Sequence, residues 1–165
     1  LTFVLLHTDA RAIDSTMLPA INTIATQQAT PTRKTMEAVT QLLNYCATHP
    51  DASIRYHKSD MILHADSDAS YLSAPKGRSR AAGYFYLSDK PANPNKPPSD
   101  DAPPPMHNGA IMVNAKIMRE VLSSTAEAEL AALFHNGREA CPLRTALEEL
   151  GHPQPPTPIV TDNVT

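Results

Sequence analysis

Proline sets the outline of this chain before any other residue type does. Sixteen prolines are present. Each holds φ at about −65° and removes a backbone donor, so none sits in a helix interior or a central strand without cost. Seven of the sixteen are Pro91, Pro94, Pro97, Pro98, Pro103, Pro104 and Pro105. Residues 90–108 therefore read as an exposed, polyproline-like loop that packs no core. Pro153, Pro155, Pro156 and Pro158 make residues 152–158 a stiff connector. Regular structure is confined to the stretches between.

Those stretches differ in period. Over residues 1–52 the spacing predicts helices. Leu18, Ile21 and Ile24 (or Ala25) fall on one helical face, a turn follows at residues 30–32, and a second helix carries Met36, Val39, Leu42, Leu43 and Cys46 as its buried stripe. His49-Pro50-Asp51 ends it, because the residue before a proline disfavours the helical region. Beyond residue 53 the pattern shortens to strands. Residues 53–56 and 60–67 carry Ile54, Met61, Ile62 and Leu63, and Gly83-Tyr-Phe-Tyr-Leu-Ser88 is rich in aromatic β-formers. Residues 109–114 and 116–122 are candidates for a third strand. Ser124-Thr-Ala-Glu127 has the form of a capping box opening a helix. That helix is expected to run through Leu130, Leu133 and Phe134, to kink or divide at Pro142, and to stop at Gly151. Ile159-Val-Thr-Asp162 reads as one more strand. The order predicts an α/β domain over 53–165, with an antiparallel hairpin start and a βαβ crossover, preceded by a helical segment over 1–52.

Composition narrows the function classes. The net charge is −3 and the pI about 6.1, which argues against coating nucleic acid by charge alone. Cys46 and Cys141 form no Cys-x-x-Cys pair, so neither a disulfide framework nor a zinc site is expected, and a reducing, intracellular setting (cytoplasmic or nuclear, not secreted) follows. No apolar run approaches the roughly 20 residues of a membrane span, and the opening Leu1-to-Leu6 run lacks the basic leader of a signal peptide. The absence of an initiator Met suggests a piece of a longer protein. Oligomeric state has no signal in the sequence.

Three short motifs carry chemistry: Ser67-Asp68-Ala69-Ser70 at the end of an apolar strand, Ala128-Glu129-Leu130 in the first turns of a helix, and Thr161-Asp162-Asn163 at the end of a later strand. Each places an acid at the edge of a buried element. Carboxylates that meet there repel one another unless a cation neutralises them. Mg²⁺ accepts such oxygens and keeps waters for substrate phosphate. Two such ions about 4 Å apart serve phosphodiester hydrolysis.

The order of these motifs resembles the ribonuclease H superfamily. More specifically, the runs Leu122-Ser-Ser-Thr-Ala-Glu-Ala-Glu-Leu130, Ser67-Asp-Ala with Arg78-Ser and Gly83-Tyr-Phe-Tyr-Leu87, and Leu147-Glu-Glu-Leu-Gly-His-Pro153 followed by Thr161-Asp-Asn163 look like the ribonuclease H domain of a copia-type retrotransposon Pol polyprotein. Residues 1–50 resemble, more weakly, the segment that links polymerase and ribonuclease H there. The resemblance implies a ribonuclease H-like mixed sheet with a crossover helix, preceded by two helices. It implies Mg²⁺-dependent cleavage of RNA in an RNA–DNA hybrid, with Mn²⁺ a substitute ion. The remainder of the polyprotein, the polymerase domain, would be a covalent partner. It makes Asp68, Glu129 and Asp162 the metal-binding carboxylates, with Glu129 also contacting the RNA strand near a 2′-hydroxyl. Lys76, Arg78, Arg80, Ser70 and Asn163 become nucleic-acid contacts. A fourth acidic residue and a histidine loop of the family are expected to lie beyond Thr165, leaving the domain incomplete at that end.

Alternatives stand beside this. Asp66 lies two residues from Asp68, on the same side of a strand, and is an alternative first ligand; Asp68 is favoured because it precedes Ala-Ser. Asp66-x-Asp68 also resembles the start of a haloacid-dehalogenase-type phosphatase, with Asp66 as nucleophile and Asp68 as acid, although no Asp-Asp pair follows. A retroelement-derived module that is structural and non-catalytic is the third reading, favoured by the acidic balance and the proline-rich loop. Without its motif, Glu129 is an ordinary surface glutamate and Asp162-Asn163 an ordinary turn. His64 and His135 read as packing or surface residues.

Overall fold

The computed structural model describes residues 10–90 and 106–162. The expectations for the opening apolar run, for most of the proline-rich stretch and for Asn163 fall outside them. The chain divides into two compact units, Leu1–Ile54 and Arg55–Thr165.

In the first unit a 3₁₀ turn, Ser15–Met17, runs into α1, Leu18–Ala25, and α2 spans Arg33–Thr48. Asp14 caps the start by accepting the Thr16 N–H, and the Tyr45 hydroxyl donates to Asp14 Oδ2 at 2.9 Å, tying α2 to the opening turn. Thr32 and Thr35 form a reciprocal capping box for α2. Leu18, Ile21 and Ile24 are buried as the spacing predicts. The stripe expected on α2 is buried in part: Leu42 is buried and Val39 and Cys46 are half-buried, whereas Met36 is 60% and Leu43 45% exposed, and Thr35 is buried instead. The helix packs mainly along the line through Thr35 and Leu42, and the Thr35 hydroxyl is satisfied by Gln27 Oε1 at 2.6 Å.

The second unit is a mixed α/β layer. Its strands are β1, Ile62–Ala74; β2, Arg78–Ser88; β3, Ala110–Ile117; and β4, Ile159–Thr161. They form one sheet in the order β3-β2-β1-β4, with β1/β2 and β2/β3 antiparallel and β1/β4 parallel. This is the hairpin start and crossover that the sequence predicts. Residues 53–56 are not a strand, and the third strand ends at Ile117, short of the expected 122. Lys76 and Gly77 close the β1–β2 hairpin with φ of 64° and 65°. Leu72, at φ 53°, lies in the irregular stretch where the register shifts between Ser70 and Ala74.

The crossover is one helix, α3, Thr125–Glu149. Pro142 neither divides nor ends it; the helix absorbs the lost donor because the sheet holds it on both sides of that turn, through Ala140 and through Leu143 and Leu147. Gly151, at φ 90°, ends it: Gly151 N–H donates to Glu148 O and His152 N–H to Leu147 O, the pattern that satisfies the last carbonyls. Leu130 and Phe134 are 66% and 62% exposed, whereas Ala128, Glu129, Ala132, Asn136, Ala140 and Leu147 are buried. Leu63, Ala65, Phe85, Ala140 and Leu147 form one core cluster; Ala81, Met118, Leu122, Ala128 and Ala132 form a second. The stiff connector behind α3 is pinned at both ends. Arg144 donates to the Pro155 and Gln154 carbonyls and to Thr157, while the Gln154 side chain bonds Leu63 N–H and Met61 O.

Candidate metal centre

The parallel pairing of β1 with β4 aligns Ser67 with Thr161. The residue that follows each is an aspartate, Asp68 within β1 and Asp162 just past the end of β4, so the two come side by side. Glu129 enters from α3. Oxygens of these three carboxylates all lie within 4.8 Å of one another, the only group of its kind among the described residues.

Glu129 reaches that point because α3 lies close to the sheet. Ala128, Ala132, Asn136 and Ala140 recur every fourth residue on its inner face, and the strands facing it carry small residues among their larger ones: Ala65, Ala69, Ala81 and Gly83. Short side chains on both surfaces bring the backbones together, as i and i+4 positions share one helical face. The Glu129 carboxylate then accepts the Ala69 N–H at 3.2 Å on one oxygen and the Thr161 hydroxyl at 3.3 Å on the other. At 7% exposure it is held between the two strands that carry the aspartates, which are themselves exposed. The helix start is built as expected on one side only. Ser124 Oγ accepts the Glu127 N–H, but the Glu127 carboxylate reaches Ser123, accepting its N–H at 2.7 Å and its hydroxyl at 2.6 Å.

Burial pushes the Glu129 carboxyl up from the usual glutamate range. The Ala69 N–H opposes that shift, and the neighbouring Asp68 and Asp162 charges add to it. Three acids packed this closely form an all-oxygen donor set in which one ligand is buried and two face solvent. This is what a hard divalent cation accepts while retaining waters or a substrate oxygen. The cluster can bind a metal.

Asp66 stands apart from this group. Its Oδ2 lies 3.1 Å from His107 Nε2. Burial raises its pKa, and His107 and His64 oppose the shift. The basic set follows the hairpin. Lys76 is exposed in the turn, Arg78 opens β2 half-buried, and Arg80 stands opposite Ser70 in the ladder, two residues along β1 from Asp68. His64 is a packing residue: 4% exposed, stacked on Tyr86, with neither ring nitrogen in a hydrogen bond of ordinary geometry. His135 lies 3.8 Å from Glu120.

Sequence reasoning missed Thr161 and Asn136. The Asn136 amide donates to Ser67 Oγ at 2.9 Å and to Ala82 O at 2.7 Å. The four-residue recurrence of small residues ending at Ala140 was the available signal; it was hidden by the larger Leu130, Leu133 and Phe134 side chains nearby.

No protein family, curated protein or solved structure matches this chain. Among the described residues, no helix is long and apolar enough to cross a membrane.

Proposed function

We propose that this chain cleaves the RNA strand of an RNA–DNA hybrid in a Mg²⁺-dependent reaction of the ribonuclease H type, as part of a retrotransposon Pol polyprotein. The observation that carries the reading is the convergence of Asp68, Glu129 and Asp162, from the first strand, the crossover helix and the last strand, into one group within 4.8 Å. The order of elements and the motifs around each acid support it, as does the mixed sheet with its parallel β1/β4 pair. Divalent ions bound there supply Lewis-acid activation of a water and charge stabilisation at the scissile phosphate. The chain's own residues do the rest. Asp68 and Asp162 present oxygens to the solvent side, where the phosphate arrives. Glu129, fixed by Ala69 and Thr161, holds the inner position and faces the RNA sugar. Arg78, Arg80 and Lys76 contact the backbone beyond Ser70 without reading sequence. The phosphatase reading needs Asp66 to work with Asp68 on one substrate atom, and the pairing of Asp66 with His107 counts against it.

The test is cleavage of a labelled RNA strand in a hybrid, with Mg²⁺ or Mn²⁺, by the chain as given and by the chain extended past Thr165, with Asp68→Asn as control. Metal-dependent cleavage lost in the variant supports the reading. No cleavage by either form overturns it and leaves the non-catalytic module.

A further inference from the structure

The fold of α3 against β1 contains a second polar bond that the metal centre itself does not use. Asn136 is 2% exposed. It lies seven residues after Glu129, two helical turns along the same inner face. Its single amide group spends both hydrogens: one on Ser67 Oγ at 2.9 Å, the other on the Ala82 carbonyl at 2.7 Å. Its oxygen occupies the space beside Gly83, where an added Cβ would lie 2.3 Å from Oδ1 and 2.8 Å from Cγ. The Phe85 ring, 2.9 Å from the same point, closes the space from the other side, so Asn136 and Phe85 together leave room only for glycine at position 83.

The two polar anchors of α3 bracket one ligand. Glu129 binds the N–H of Ala69, and Asn136 binds the hydroxyl of Ser67. These are the residues on either side of Asp68. Two bonds, two turns apart on a rigid helix, fix both its rotation and its position along β1 at this point. A slip of α3 by a fraction of a turn would carry Glu129 away from Asp68. The apolar clusters around Ala132 and Ala140 oppose it by packing, and the directional bonds define the position at the acids themselves. Glu129 cannot define that position alone, because like charges on Asp68 and Asp162 push against it.

We propose that Asn136 is a positioning residue for the metal centre: its clasp on Ser67 and Ala82 sets the separation of Glu129 from Asp68 and thereby the affinity for a divalent cation. This rests on the three carboxylates being a metal site. Partners behind metal ligands commonly change affinity by roughly 10- to 100-fold when removed.

The test is Mn²⁺ binding to the full chain, read from the loss of the free-ion electron paramagnetic resonance signal, at a temperature where circular dichroism shows every variant folded. Asn136→Ala is expected to weaken Mn²⁺ binding by about tenfold or more. Leu147→Ala, a core truncation remote from the acids, is the stability control and is expected to bind within about twofold of the parent despite a larger loss of melting temperature. Gly83→Ala is expected to weaken binding in the parent by displacing Asn136, and to add less in the Asn136→Ala background, where only the Phe85 ring, 2.9 Å from the added Cβ, still has to give way. If Asn136→Ala does not fold, Asn136→Ser is read by the same criteria. Mn²⁺ affinity unchanged in the Asn136 variant, with lowered stability, overturns the positioning role and leaves the metal centre standing. No Mn²⁺ binding by the parent overturns the metal centre and the positioning role together.

Discussion

Ser67 and Thr161 stand opposite one another in the parallel pairing of β1 with β4, and the residue that follows each is an aspartate of the acidic cluster. The cluster is thus a product of register. Charge repulsion is built into it, and the repulsion has a measurable sign. Glu129→Gln and Asp68→Asn each remove one like charge while keeping shape, so both are expected to hold or raise the melting temperature of the metal-free protein. Both are also expected to abolish the rise produced by Mg²⁺. In the parent that rise corresponds to about 2.7 kcal/mol when the ion is at roughly 100 times its dissociation constant. Thermal melts with and without Mg²⁺ check both halves.

The pH dependence of the metal-free protein follows from Glu129. Its carboxyl is raised in the folded state, first by burial and then by the aspartate charges. The folded protein therefore binds this proton more tightly than the unfolded chain. The cost of ionising Glu129 is present in full above the raised value. It is relieved as the pH falls through that value, and nothing further is gained below the ordinary value of 4.5. Denaturant midpoints across this window should show a stabilising component on acidification that Glu129→Gln lacks; identical profiles would refute the assignment.

His64 acts in the opposite direction. Burial lowers its pKa from 6.5, with the Asp89 backbone, Asp66 and Asp89 opposing. Its contribution is intact above 6.5 and is lost as the pH falls through the depressed folded value, because the unfolded chain takes the proton first. His64→Phe keeps a ring against Tyr86 and removes the desolvated ring nitrogens. It should leave stability at neutral pH equal or higher, by up to about 1 kcal/mol, and blunt the loss below pH 6.5. Chemical denaturation at neutral and mildly acidic pH distinguishes this from a ring that is simply packed.

The inner and outer faces of α3 predict unequal truncations. Leu147, 6% exposed in the core cluster with Leu63 and Phe85, should cost about 2–5 kcal/mol as Leu147→Ala. Phe134, 62% exposed with Arg138 over its ring at 5.8 Å, should cost only about 0.5 kcal/mol as Phe134→Ala. Equilibrium unfolding of the two variants decides which face is the core.

That contrast shows where the sequence is legible. Strand β2 is readable because it is rich in aromatic β-formers; Asp68 and Asp162 are readable because each follows a strand-like run, and Glu129 because it lies just inside a capped helix start. The face of α3 is not. Its apolar residues run all around the helix, and the sheet selects the small ones for closeness rather than the large ones for buried area. On α2 the period is legible in part: Leu42 is buried as it implies, yet Met36 and Leu43 stay exposed and Thr35, with its bond to Gln27, takes an inner place. Pro142 reads as a break because local sterics oppose it; contacts on both sides of the turn outweigh that cost. The role of Asn136 depends on Gly83, more than fifty positions away, and no local pattern connects them.

The strand that closes the cluster is only three residues long and pairs with β1 through a helix of 25. Its ladder is therefore too short to form early, and its partner lies almost a hundred positions upstream. Closing so long a loop loses chain entropy before any bond rewards it. During synthesis, the hairpin of β1 and β2 can assemble while α3 is still being made, but the acids cannot meet until Asp162 has cleared the ribosome. The meeting of the three acids thus comes after the β1–β2 hairpin on folding and, since β4 makes only three pairings with β1, is among the contacts given up early on unfolding.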